Sequence, residues 1–211
     1  MNIKSRRLFL KTSIIGGVLG FFTNSVSGVT LTPSDSQGPF YPITPQKDKD
    51  FDLTTIKGQQ GTAIGEIINI RGKVLDENLK PLEDVTIDLW QANAAGRYHH
   101  PYDTSKVPLD ENFQGWAIIQ SGVSGGFNFK TIVPGAYAAS SSWTRPPHIH
   151  FKISKLGYHE LLTQMYFPDN ELNQKDYLLQ SKSTKEQELM IAKKVEGSSN
   201  TLQYTIILRS I

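Results

Sequence analysis

The chain has 211 residues, 38% of them hydrophobic and 20% charged, with a formal net charge of +2. That balance is ordinary for a globular chain and gives no general pull toward nucleic acid or an anionic membrane surface. Cysteine is absent, which excludes a disulfide framework, a zinc ribbon, a thiolate nucleophile and an iron–sulfur cluster, so any metal must sit on nitrogen and oxygen ligands.

The first segment carries Ser5-Arg6-Arg7-Leu8-Phe9-Leu10-Lys11, then the apolar run Ile14 to Phe22, then the small residues Ser25, Ser27 and Gly28. Positive charge, a short apolar run and a small-residue zone, in that order, read as a signal peptide. The run is too short to cross a hydrocarbon core of roughly 30 Å comfortably. The paired arginines resemble the twin-arginine export signal. Residues 1–28 are therefore expected to be a twin-arginine-type signal peptide, with a periplasmic or extracellular product that keeps no stable membrane association once cleaved. An uncleaved anchor is the alternative. What remains, roughly 180 residues, is enough for one domain with a full core.

Residues 29–61 open with Thr32-Pro33 and Gly38-Pro39-Phe40-Tyr41-Pro42 and continue polar and aperiodic; they read as an arm laid over a domain spanning 62–211. From Ile64 the pattern turns to short strands. Ile68, Ile70 and Gly72 to Val74 lead into the turn Asp76-Glu77-Asn78, after which Val85, Ile87 and Leu89 alternate with Thr86, Asp88 and Trp90, suggesting an antiparallel pair. Further strands are expected at Trp116–Gln120, Phe127–Ile132, His148–Ser154, Leu161–Phe167 and Leu202–Leu208, separated by Gly, Pro and Ser clusters. One helix is expected, Thr184 to Val195, with Leu189, Ile191, Ala192 and Val195 on one side. The sum is an all-β chain: an antiparallel β-sandwich with long loops and one or two short helices. The longest irregular stretch, Ala92 to Gln114, is where a rigid sandwich would carry function.

The sharpest local feature is Arg145-Pro146-Pro147-His148-Ile149-His150-Phe151. On a strand, residues i and i+2 share a face, so His148 and His150 present two imidazoles together while Ile149 points to the other side. Imidazole suits zinc, copper, iron and nickel alike, and such a pair is as often a core hydrogen-bonding pair as a ligand pair. Two upstream tyrosines bear on the choice: Tyr98 in Gly96-Arg97-Tyr98 and Tyr137 in Pro134-Gly135-Ala136-Tyr137. An ionised phenol is a hard anionic donor, and two of them would favour Fe(III). Buried tyrosines also commonly just hydrogen-bond, and Arg145 could simply pair with a carboxylate.

In order along the chain stand Leu89-Trp90-Gln91-Ala92-Asn93-Ala94-Ala95-Gly96-Arg97-Tyr98, Pro108-Leu109-Asp110, Pro134-Gly135-Ala136-Tyr137, Arg145-Pro146-Pro147-His148-Ile149-His150-Phe151, Thr163-Gln164-Met165-Tyr166-Phe167 and Tyr204 to Arg209. This series resembles the intradiol ring-cleavage dioxygenases, the protocatechuate 3,4-dioxygenase β chain in particular, over residues 62 to 209. The resemblance implies a non-haem Fe(III) held by Tyr98, Tyr137, His148 and His150, with Arg145 and Gln164 lining the substrate pocket and Tyr98 displaced when substrate binds. It implies a small aromatic diol and O2 as reactants, ring opening to a cis,cis-muconate-type diacid, and either self-association or pairing with a related chain.

Between Tyr137 and Arg145 this chain has Ala138-Ala139-Ser140-Ser141-Ser142-Trp143-Thr144, where the protocatechuate enzymes carry a longer, bulkier segment; small residues here would widen the pocket. The N-terminal helical dimerisation region of the catechol 1,2-dioxygenases has no evident counterpart. Two other classes stand beside this reading. One is a non-catalytic β-sandwich binding module. The other is a zinc hydrolase using the His-x-His pair with a third ligand such as Asp110 or Asp169. His99, His100 and Tyr102 are spare ligand candidates.

Overall fold

A computed structural model of the chain describes residues 28–44 and 48–211. The expected signal segment, apart from Gly28, lies outside the described residues. Strands β1 (Ile67–Asp76), β2 (Thr86–Trp90), β3 (Trp116–Gln120), β4 (Gly126–Ile132), β7 (His148–Ser154), β8 (Leu161–Tyr166), β9 (Lys193–Lys194) and β10 (Thr201–Leu208) form two four-stranded sheets, ordered β4-β1-β10-β9 and β3-β2-β7-β8. A small ribbon pairs β5 (Tyr137–Ala138) with β6 (Thr144–Arg145). Among the described residues, no helix is long and apolar enough to cross a membrane.

The core lies between the two sheets. Ile68, Ile70, Val74, Phe127, Phe129 and Ile206 from one meet Ile87, Leu89, Ile149, Phe151 and Ile153 from the other in a single buried cluster. Burying side chains of this kind stabilises by about 1.5–3 kcal/mol each before entropy is charged against it. The alternation along β7 does what the sequence pattern requires. Ile149, Phe151 and Ile153 enter the core cluster, so His148 and His150 occupy the opposite face.

Three expectations are corrected. First, β1 and β2 do not pair: β1 runs antiparallel to β4 and parallel to β10, whereas β2 runs antiparallel to β3 and β7 in the other sheet. The Asp76 carboxylate accepts from the backbone N–H groups of Asn78 and Lys80, closing the turn on itself. A bridge between Leu75 and Pro81 then joins the limbs before the chain crosses over. The β1–β10 pair also means that the sandwich is not antiparallel throughout.

Second, the helix expected over Thr184 to Val195 stops earlier, as α2 (Thr184–Met190). Its start follows from Glu186 accepting the Ser183 N–H at 2.8 Å. Its end comes when Ile191 turns extended and Ala192 N–H donates to the Tyr166 carbonyl at 2.9 Å, so sheet pairing takes over. Third, a 3-10 turn (Glu171–Lys175) and a short helix α1 (Tyr177–Gln180) precede it. They follow a polar stretch with no apolar periodicity, which is why sequence reading passed over them.

The arm is tied down. Thr32 exchanges hydrogen bonds with Ile207, and Thr163 Oγ1 donates to the Pro33 carbonyl at 2.8 Å. Leu53 and Thr54 are fully buried. Segment 36–41 thereby lies across the outer face of the β7 sheet.

Candidate metal centre and active site

Register across the β3-β2-β7-β8 sheet builds one wall of the site. Trp116 opposes Trp90, Trp90 opposes His150, and His150 opposes Gln164, while His148 opposes Tyr166. Trp90 stacks on the His150 ring at 4.9 Å with 5° between planes, fixing the imidazole's tilt. The tyrosines reach this wall from two loops. Tyr98 comes from the irregular stretch after β2, where its backbone N–H donates to Asp103 at 2.7 Å. Tyr137 opens β5.

These two loops touch where neither carries a side chain. Gly135 N–H donates to the Asn93 carbonyl at 2.9 Å, and a Cβ on Gly135 would stand 2.4 Å from Gly96 N. Gly96 itself has φ +80°, a conformation other residues adopt only with strain. The glycines of the Gly96-Arg97-Tyr98 and Pro134-Gly135-Ala136-Tyr137 motifs are therefore what lets the two phenols meet.

The four side chains converge. His148 Nε2 lies 3.2 Å from His150 Nε2 and 3.4 Å from the Tyr98 hydroxyl. Tyr137's ring is 5.7 Å from that of His148 and 5.6 Å from that of Tyr98. His148 Nδ1 is 2.7 Å from the Pro146 carbonyl, which makes Nδ1 the donor and leaves the Nε2 lone pair free. Burial, then the Arg145 charge, holds the His148 pKa down at about 3. Burial and the neighbouring His148 lower that of His150 as well. Both rings are thus neutral. Burial is also the main cause that raises both phenols, Tyr98 well above its ordinary value, although Arg145 pulls Tyr137 back down.

The donor set fits a hard cation. Nitrogen and oxygen ligands about 2.0–2.1 Å from one ion stand roughly 3.0–3.4 Å from each other, which is the spacing found here. Two phenols that burial keeps protonated would ionise only against a concentrated positive charge. Among the described residues, no three His, Cys, Asp or Glu side chains cluster as a metal site. The zinc alternative thus lacks its third ligand. Asp110 accepts from the Ile64 and Asn112 backbone, and Asp169 pairs with Lys194 at the surface. Of the spare candidates, His99 and Tyr102 are exposed, and His100 Nδ1 accepts from the Tyr102 N–H.

Arg145 and Gln164 are buried in one hydrogen-bonded network. Arg145, 4% exposed, donates through Nε to Asp176 at 2.7 Å and through Nη2 to Gln164 at 2.7 Å and the Tyr166 hydroxyl at 2.9 Å. Gln164 in turn donates to the Ser36 carbonyl at 3.0 Å. Asp176 also accepts the Leu179 N–H, anchoring the start of α1. The sequence reading allowed Arg145 a carboxylate partner without finding Asp176; a buried guanidinium implies one, but nothing marks which. It also missed Gly38 and Phe40. A Cβ on Gly38 would stand 3.2 Å from the His150 ring, and Phe40 lies 4.8 Å from Tyr98. The arm's Gly-Pro-Phe-Tyr run is thus a roof, a role its composition alone did not signal. Beside Tyr137 opens a cavity of about 640 Å³.

A mostly β sandwich that brings two strand-borne imidazoles together with two loop-borne phenols fits a class of oxidoreductase. The chain belongs to the intradiol ring-cleavage dioxygenases: the family model described as Dioxygenase matches residues 36–210. It is 36% identical over 184 residues to the protocatechuate 3,4-dioxygenase beta chain of Burkholderia cepacia, covering 83% of this chain and 78% of that one. Identity to catechol 1,2-dioxygenase 2 of Acinetobacter lwoffii is 29% over 148 residues, and the chain spans 50% of that relative's length. Among solved structures, the dioxygenase domain of a carbohydrate-binding fusion from Streptomyces sp. SirexAA-E superposes with TM-score 0.65 at 26% identity, covering 86% of this chain and all of that one. The 3-chlorocatechol 1,2-dioxygenase of Rhodococcus opacus 1CP gives 0.64 at 26%, covering 85% and 73%.

Proposed function

We propose that this enzyme holds Fe(III) with Tyr98, Tyr137, His148 and His150 and uses O2 to open the ring of a catechol-type diol between its two hydroxyl-bearing carbons. The observation that carries the reading is the convergence of His150 Nε2, at 3.2 Å, and the Tyr98 hydroxyl, at 3.4 Å, on His148 Nε2 at a buried face. A ferric ion held there would activate the diol toward O2, and cleavage would give a cis,cis-muconate-type diacid carrying both oxygen atoms.

The chain's own groups divide the remaining work. Tyr98 would be the ligand that gives way to the diol, and its oxygen would take up one of the diol's protons. Arg145, held from one side by Asp176, keeps positive charge beside the Tyr137 oxygen and opposes negative charge building on the ring. Gln164 keeps Ser36 and the roof in place. Trp90 and Phe40 shield the His150 and Tyr98 rings from water. The same reading takes residues 1–28 as a twin-arginine signal and 62–211 as the catalytic domain. Arg6→Lys with Arg7→Lys should then trap the precursor in the cytoplasm, and undiminished export of that double variant refutes the signal.

The test of the site is a visible absorption spectrum taken beside metal content. Stoichiometric iron, a tyrosinate-to-iron charge-transfer band and a shift of that band on adding catechol are expected. A colourless protein that takes up no iron on reconstitution would overturn the proposal.

A further inference from the structure

We infer that the enzyme selects catechols bearing a neutral aromatic substituent over carboxylated ones, an inference that rests on the ring-cleavage reading above. The cavity beside Tyr137 has about 640 Å³, whereas a benzene ring fills roughly 150 Å³. A bare diol bound at the Tyr137 end of this cavity therefore leaves most of the volume empty, and a substituent can use it.

The walls say what that substituent is. Tyr102, Trp143 and Leu178 supply apolar and aromatic surface, and Ala138 with Ala139 keep the floor open next to Tyr137. Trp143 is held by Tyr177, with ring centroids 5.2 Å apart, and gives the wall a large aromatic side chain.

Charge argues the same way. Among the described lining residues the only formal charge is the carboxylate of Asp103, held in place by the N–H groups of Tyr98 and Ser105. Arg145, whose guanidinium carbon lies 5.3 Å from the Trp143 ring centroid, already has its counter-ion in Asp176 at 2.7 Å. A substrate carboxylate in this cavity would meet no unpaired cation among the lining residues and would face an anion. An aryl group would lose only water.

The experiment compares kcat/KM of the iron-loaded full chain for 4-phenylcatechol, protocatechuate and catechol, and measures calorimetric binding of 4-phenylcatechol to metal-free protein. A preference of at least about tenfold for 4-phenylcatechol over protocatechuate is expected. Trp143→Ala should cut that ratio about fivefold or more and weaken binding to the metal-free protein. Ala139→Trp, which fills the floor, should lower the ratio too. Equal or better turnover of protocatechuate overturns the inference while leaving ring cleavage intact. If none of the three diols is opened, the ring-cleavage reading fails instead, and the calorimetry decides the pocket: saturable binding weakened by Trp143→Ala supports it, and no saturable binding ends it.

Discussion

The two halves of the site are built by different means. The imidazole half sits on β7, where register with β2 and β8 fixes Trp90, His150 and Gln164 side by side and a buried ion pair backs the wall. The phenol half hangs on two loops whose mutual position depends on a glycine-to-glycine contact and a few backbone hydrogen bonds. A strand pair offers donors already aligned before any metal arrives. The loop pair offers donors whose placement can yield, which suits the half of the site that holds Tyr98, the ligand proposed to give way to substrate.

Substitutions can break that contrast. The largest effect is expected from His150→Ala, which removes a donor from the rigid half: iron affinity should fall on the order of a thousandfold, well beyond the roughly 10–100-fold that losing a supporting residue costs. Metal titration followed by the visible band measures it, and stoichiometric retention would remove His150 from the ligand set. Next comes Asp176→Ala. It strands the buried Arg145 charge and removes the anchor of α1, so a loss of about 3–5 kcal/mol is expected in denaturant unfolding. A loss under about 1 kcal/mol would mean that the wall does not depend on the pair.

The smallest of the three effects falls on the yielding half. Gly135→Ala forces the loops apart at Gly96 N, and should cost about 1–3 kcal/mol in stability. It should also shift the charge-transfer band, because both phenols move. An unchanged band with full stability would show that the glycine contact does not set the phenols' positions.

Much of this was legible in the sequence, for reasons that can be named. The period of two at His148-Ile149-His150 put both imidazoles on one face because strand geometry allows nothing else. The limits of β3 and β7 followed from their apolar runs and flanking turns. What stayed hidden depends on contacts distant along the chain. No local pattern says that Asp176, on a polar stretch after β8, will meet Arg145. Nothing in Gly38-Pro39-Phe40-Tyr41 says that it will roof His150. The pairing of β1 with β2 was misread for the same reason, since adjacency in sequence is only a prior on adjacency in the sheet. The tail of α2 was misread because helical periodicity cannot see Tyr166 capturing Ala192.

The parallel pairing of β1 with β10 sets the order in which the domain can be made. Asn69 meets Thr201 across a closure of about 130 residues, so β1 emerges from the ribosome long before its neighbour exists. Until then it is an edge strand whose unpaired N–H and C=O groups invite association with other nascent chains. Closure waits for the last strand, which places refolding in the slower millisecond-to-second range of topologies dominated by distant contacts. Truncation within β10 should therefore leave an aggregation-prone chain rather than a shortened domain.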